Sequence, residues 1–103
     1  IPRLMGLKTY KVLSGSMEPE YHVGSVVYVE KSLIDDIEVG DVITFYINDN
    51  TVVTHRVIDK DNDTESFHTK GDANETEDGG SVAYDKVVGK VVLNVPYLGY
   101  ILR

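Results

Sequence analysis

The feature that most limits how this chain folds is a two-residue rhythm running through nearly its whole length. "SVVYVEK" (25–31), "DVITFYI" (41–47), "TVVTHRVI" (51–58) and "DKVVGKVVLN" (85–94) are rich in Val, Ile, Tyr and Thr, and clusters of Gly, Asn and Asp separate them. Successive side chains of a strand point to opposite faces, and β-branched and aromatic residues suit a pleated, half-buried surface, so these segments read as strands. "TYKVL" (9–13) and "SFHTK" (66–70) are shorter candidates, and "NDN" (48–50) between two strong strands reads as a hairpin turn. No window of ten or more residues carries an apolar stripe at helical spacing, and "SLIDDIEVGD" (32–41) offers at most one helical turn. Strands this close together without helices predict an all-β fold, a small, mostly antiparallel barrel or pair of packed sheets. With 103 residues, no internal repeat and no low-complexity linker, residues 1–103 form one domain with one modest core.

Charge and composition exclude several kinds of function. The net charge of -7 argues against nucleic acid as a partner, because phosphates need clustered Lys and Arg. The absence of cysteine excludes disulfides and thiolate metal sites. No run approaches the ~18 apolar residues of a membrane span. The chain opens on "IPRLMGLKTY" without an initiator Met and stops on the apolar "VPYLGYILR", so both ends are expected to be cut from something longer, with a transmembrane anchor beyond one or both. Ile1, Leu4, Met5, Tyr97, Leu98 and Ile101 are then candidates for an apolar patch facing a bilayer.

The stretch from Asp59 to Gly80 is acidic and short of apolar residues, Phe67 being the main exception; it reads as a solvated hairpin and a long loop. "DKDNDTE" (59–65) imitates the start of a calcium loop, with acids at Asp59, Asp61 and Asp63. Thr64 stands where the turn needs Gly, and Lys70 where the twelfth position needs Glu, so calcium is not expected. "NDT" at Asn62 and "NET" at Asn74 match the glycosylation acceptor pattern, which two of five Asn readily do by chance.

Chemistry could arise where a few residues converge. "KVLSGSMEPEYHVGS" (11–25) places Ser14 and Ser16 either side of Gly15, which by itself is an ordinary turn. Val53, His55 and Val57 share one strand face, so His55 is expected among apolar neighbours, where most histidines are simply core residues. A desolvated imidazole beside a carboxylate is also what a general base requires. Gly71 permits a tight turn before Asp72, and Asp78 precedes two glycines; either acid could orient a histidine, and either could be an ordinary loop acid. His68 lies on a short strand and His22 in an exposed loop, so both are weaker candidates for a base. His55, His68 and Asp72 are permissible metal ligands, but no ligand spacing supports a metal, and no cofactor is expected.

Taken in order, "VLSGSMEP", "VGSVVYVEK", "VGDVITFY", "THRVI" and "TKGDANETED" resemble the type I signal peptidases. The likeness is to the endoplasmic-reticulum-type branch, found also in archaea and some Gram-positive bacteria, and it runs from about Tyr10 to Tyr100. The resemblance implies a fold of the signal peptidase/LexA-like type and a serine endopeptidase that cuts signal peptides from secreted preproteins after small residues. It implies Ser16 as nucleophile and His55 as base, where bacterial housekeeping relatives have lysine. Asp72 and Asp78 match two acids important in this branch, Asp78 being the better match for the partner of His55. Ser14 and the backbone N–H of Ser16 match oxyanion-hole donors. The resemblance also implies contact with the membrane lipid surface, and a catalytic domain on the extracytoplasmic side of the cell membrane. One departure is Ser25, where relatives commonly carry Asp. Competing readings are a LexA-type self-cleaving protease, disfavoured by histidine at position 55 and the lack of an internal Ala-Gly site, and a catalytically silent β-barrel binding module.

Overall fold

The computed structural model describes residues 7–12, 15–18, 21–31, 34–76 and 78–95. It contains β1 (Leu7–Lys11), β2 (Val26–Glu30), β3 (Val42–Asn48), β4 (Thr51–Asp61), β5 (Ser66–Lys70), β6 (Ser81–Ala83) and β7 (Val87–Val95). Helix among the described residues is limited to single 3₁₀ turns at Gly15–Met17, Ile34–Asp36 and Tyr84–Lys86. The strands form one antiparallel sheet in the order β1-β2-β7-β3-β4-β5-β6. The all-β expectation holds, as do the hairpin at Asp49–Asn50 and the single helical turn near Ile34. No helix among the described residues is long and apolar enough to cross a membrane.

The two-residue rhythm sets the core. Ile43, Phe45, Val57, Phe67 and Val82 from four adjacent strands meet on one face with Ile37, and Val53, Tyr84 and Val87 pack against them. The opposite face is also covered over part of β3, where the buried Thr44 shares a hydroxyl hydrogen bond of 2.7 Å with Thr54. Lys60 at the far end of β4 donates to the carbonyls of Ile34 and Ile37 at 3.0 and 2.9 Å, which ties the 3₁₀ turn to the sheet. Gly89 of β7 lies against the backbone at the end of β2. A Cβ there would lie 2.2 Å from the Glu30 carbonyl oxygen, so only glycine fits without moving backbone.

Two features of the 59–83 region depart from the sequence reading. β4 extends to Asp61, and β5 returns from Ser66, so the solvated hairpin is a continuation of the sheet. The Asp61 carboxylate accepts the N–H groups of Asp63 and Thr64 at 2.9 and 3.3 Å; the acids that imitate a calcium loop build the turn between these strands. β6 went unread because three residues are too few to show alternation. It exists because Val82 finds Phe67 opposite it across the β5 pair.

The arrangement that positions the site is an unfilled edge. β4 has eleven residues, but β5 pairs with it only from Arg56 onward. Over Thr51–His55, no described strand pairs with the edge of β4 that faces away from β3.

Candidate active site

Ser16 sits in the 3₁₀ turn that follows β1. The loop carrying it is tied at its base by Val12 N–H to Ser25 O and Gly24 N–H to Val12 O, both 2.8 Å, with Gly24 at a φ of 94°. Its tip is fixed from the other side by residues 71–73. Ala73 N–H donates to the Ser16 carbonyl at 2.7 Å, and Asp72 N–H reaches the Met17 Sδ at 3.3 Å, Met17 being buried. Gly71 lies against Ser16 itself: a Cβ on it would be 2.6 Å from the Ser16 carbonyl oxygen and 2.9 Å from the Ser16 Cβ. The reason for glycine here is close approach; positive φ is used instead at Gly24 and Gly40.

His55 is 8% exposed and faces this turn from the end of the unpaired stretch of β4. Its Nε2 lies 3.0 Å from Ser16 Oγ, and its Nδ1 lies 2.7 Å from Asp78 Oδ2. An ionised carboxylate only accepts, so Nδ1 carries the proton and Nε2 presents its lone pair to the serine hydroxyl. Asp78 is held in turn: its Oδ2 also accepts the Thr69 hydroxyl at 2.6 Å, and its N–H donates to the Thr69 carbonyl at 2.9 Å. The Phe45 ring meets His55 edge-on at 6.4 Å and limits how the imidazole tilts. Ser16, His55, Asp78 and Thr69 thus form one hydrogen-bonded line across four separate segments.

Asp72 lies elsewhere in the network. Arg56, the neighbour of His55 on β4, grips it with two parallel bonds, Nε to Oδ1 at 2.9 Å and Nη2 to Oδ2 at 2.8 Å, and donates from Nη1 to the Gly40 carbonyl at 2.8 Å. The guanidinium holds the Asp72 carboxyl below the usual carboxylate range, against the opposing effect of partial burial. A carboxyl lowered by folding adds stability that is present above its unfolded value of ~3.9 and lost as pH falls through the folded one. Asp72→Asn is therefore expected to melt lower than the parent near pH 6, and the gap is expected to narrow as pH falls through the lowered carboxyl range. Melting curves of the two proteins from pH 6 to 2 check this; a gap independent of pH would contradict it.

The other candidates fall outside this line. His22 is exposed and bonds through Nδ1 to Glu18, whose second oxygen accepts Val23 N–H at 3.3 Å. His68 sits opposite Asp59 on β5, away from His55. Among the described residues, no three His, Cys, Asp or Glu side chains group as metal ligands. Ser14 and the six candidates for a bilayer-facing patch lie outside the described residues. Thr69 went unread; alternation put it on the face of Phe67, but nothing in "SFHTK" marked a hydroxyl that would hold an acid nine residues on. Ser25 is fully buried, its Oγ without a hydrogen-bond partner among the described residues.

A groove of about 620 Å³ opens at Ser16 and runs along the unpaired stretch of β4, with Tyr10, Met17, Tyr21 and Val27 forming its other walls. The family model described as signal peptidase, peptidase S26, matches residues 1–67. The chain belongs to this signal peptidase family. Signal peptidase I W of Bacillus subtilis (strain 168) is 43% identical over 89 residues, covering 84% of this chain and 47% of the relative. The signal peptidase complex catalytic subunit SEC11 of Fusarium vanettenii is 34% identical over 101 aligned positions, covering 87% and 59%. The corresponding subunit SEC11C of Homo sapiens is 36% identical over 101 positions, covering 87% and 53%. The chain spans about half the length of the curated signal peptidases it matches. The family model ends at Phe67 in this chain, so His55 and the Ser16 loop lie within it, while Thr69, Asp72 and Asp78 lie beyond.

Proposed function

We propose that this chain is the catalytic part of a membrane-associated serine endopeptidase that removes N-terminal signal peptides from secreted preproteins. The observation that carries the reading is the line Ser16 Oγ, His55 Nε2, His55 Nδ1, Asp78 Oδ2, with contacts of 3.0 and 2.7 Å, opening onto an apolar groove. A serine hydroxyl is a weak nucleophile unless a base takes its proton, and the contact at Nε2 supplies that base within transfer distance.

In the proposed mechanism Ser16 Oγ attacks the scissile carbonyl carbon as its proton passes to His55 Nε2. Asp78 holds the ring and offsets the imidazolium charge. The oxyanion is bound by the Ser16 N–H and the Ser14 hydroxyl; donors of this kind are each worth about 3 to 4 kcal/mol. The tetrahedral species collapses, the C–N bond breaks, and His55 returns the proton to the leaving amine. Water, deprotonated by His55, then attacks the acyl-enzyme ester and frees Ser16. The peptide is held extended along the open edge of β4 at Thr51–His55, where unpaired backbone offers hydrogen bonds to an added strand. The reading places the domain at the extracytoplasmic face of the cell membrane, with anchoring segments outside residues 1–103.

The test is labelling by a serine-directed acylating probe, with the modified residue located by mass spectrometry. Ser16 is expected to carry the label, and Ser16→Ala is expected to remove both labelling and cleavage of a signal-peptide substrate while keeping the melting temperature. A chain that takes no label, or takes it on another serine, contradicts the proposal.

A further inference from the structure

His55 is anchored on β4, but its acid, Asp78, belongs to the loop between β5 and β6 and keeps 29% of its side chain exposed. A carboxylate in that setting can turn about its Cβ–Cγ bond, or swing toward water, and leave Nδ1 without its acceptor. Thr69 removes that freedom. It is fully buried on β5 and pairs with Val57, two residues along β4 from His55 and on the same face. Its hydroxyl donates at 2.6 Å to Oδ2, the oxygen that also accepts Nδ1 of His55 at 2.7 Å. Such a length is normal for a hydroxyl bonded to an ionised carboxylate, and these bonds are stronger than neutral ones. The branched Thr side chain has few χ1 choices, so the strand itself aims the hydroxyl. A separate bond, Asp78 N–H to the Thr69 carbonyl at 2.9 Å, closes the loop and needs nothing of the Thr69 side chain. Among the described residues the hydroxyl bonds to neither Ser16 nor His55, so it can act on the reaction only through Asp78.

We propose that Thr69 is a positioning residue of the reaction: through its hydroxyl the sheet holds the Asp78 carboxylate on Nδ1 of His55 while the imidazolium forms. The inference rests on the protease reading above. As His55 takes the Ser16 proton, its Nδ1–H bond to Oδ2 strengthens and draws ring and carboxylate together. A carboxylate held by the ring alone shifts with it. One held also by Thr69 stays in place, and Nε2 stays aligned to return its proton to the leaving amine. Thr69 does not line the groove that opens at Ser16, so loss of its hydroxyl falls on kcat rather than on KM.

The experiment measures steady-state cleavage of a signal-peptide substrate by the whole protein in detergent micelles, with melting curves alongside. Thr69→Val replaces the hydroxyl by a methyl of similar size at a buried strand position that suits valine. Its melting temperature is expected to hold or rise while kcat falls by about 10- to 100-fold, the scale of one hydrogen bond to a charged group. Thr69→Ser keeps the donor on a freer χ1 and is expected to recover most of the lost rate. Thr69→Ala lacks the same methyl as Thr69→Ser and differs from it only by the hydroxyl, so this pair isolates the bond even if the valine variant folds poorly. In an Asp78→Asn background, where no carboxylate remains to be held, Thr69→Val is expected to change the rate by less than about threefold, since groups in one network are not additive. Parental kcat in Thr69→Val, equal rates in the Ser and Ala variants, or an undiminished loss in the Asp78→Asn background overturns the role of Thr69; if cleavage still disappears in Ser16→Ala, the protease reading stands. Cleavage that survives Ser16→Ala overturns both.

Discussion

Asp78→Asn is expected to lower kcat/KM toward a signal-peptide substrate by about 10⁴-fold, as loss of the orienting acid does in other Ser-His-Asp sites, with little change in melting temperature. The reason lies in which atom carries a proton. Asp78 Oδ2 accepts from both His55 Nδ1 and the Thr69 hydroxyl. An asparagine is neutral and offsets no imidazolium charge, and where its NH₂ takes the place of Oδ2 it donates to Nδ1 while the Thr69 hydroxyl turns to accept from the same group. The imidazole then accepts at Nδ1 and carries its proton on Nε2, where it donates to Ser16 instead of accepting. The serine loses its base although every heavy atom stays near its place. Asp72→Asn is expected to cost much less activity, because Asp72 spends both oxygens on Arg56 and touches neither Ser16 Oγ nor the His55 ring through any hydrogen bond. The measurement is steady-state cleavage by the parent and the two variants, with melting curves alongside. An Asp78→Asn protein of full activity would refute the assignment of Asp78 as the residue that orients His55.

Gly71→Ala is expected to lower kcat/KM by about 10²-fold, the scale of loss when a reacting group is misplaced by about an ångström. The added methyl would stand 2.6 Å from the Ser16 carbonyl oxygen, 2.9 Å from the Ser16 Cβ and 2.8 Å from Asn74 Nδ2. Asn74 is exposed and can swing away. The Ser16 backbone cannot yield so easily, because Ala73 N–H holds its carbonyl from the same loop. Relief comes by moving the two segments apart, which lengthens the 3.0 Å contact from Ser16 Oγ to His55 Nε2. The N–H of Ser16 moves with it. Rate and melting temperature should be read together: the expected signature is a loss of rate well beyond any modest fall in stability. A Gly71→Ala protein of parental activity would mean that the loop yields without disturbing Ser16.

What the sequence determined by itself is the local part of the design. The alternation in 25–31, 41–47, 51–58 and 85–94 reports the strand period directly, because each residue's face depends only on its neighbours in the chain. That reading carries His55 onto the core-facing side of β4 without any tertiary information. The composition of 48–50 likewise contains the hairpin, and the boxes around Ser16, His55 and Asp72 contain the family.

The tertiary structure decided everything that depends on which segments meet. Asp72 and Asp78 are both acids in one polar loop, and spacing alone left either free to approach His55. The choice falls to Asp78 because Thr69, the last residue but one of β5, is bonded to it, while Arg56, one residue past His55 and on the opposite face of β4, captures Asp72. The same cause hid β6, Thr69 and the contact of Gly71 with Ser16. A three-residue strand, a hydroxyl and a missing Cβ have no period of their own. Each acquires its role only from a partner many residues away, at a distance that the folded chain alone establishes.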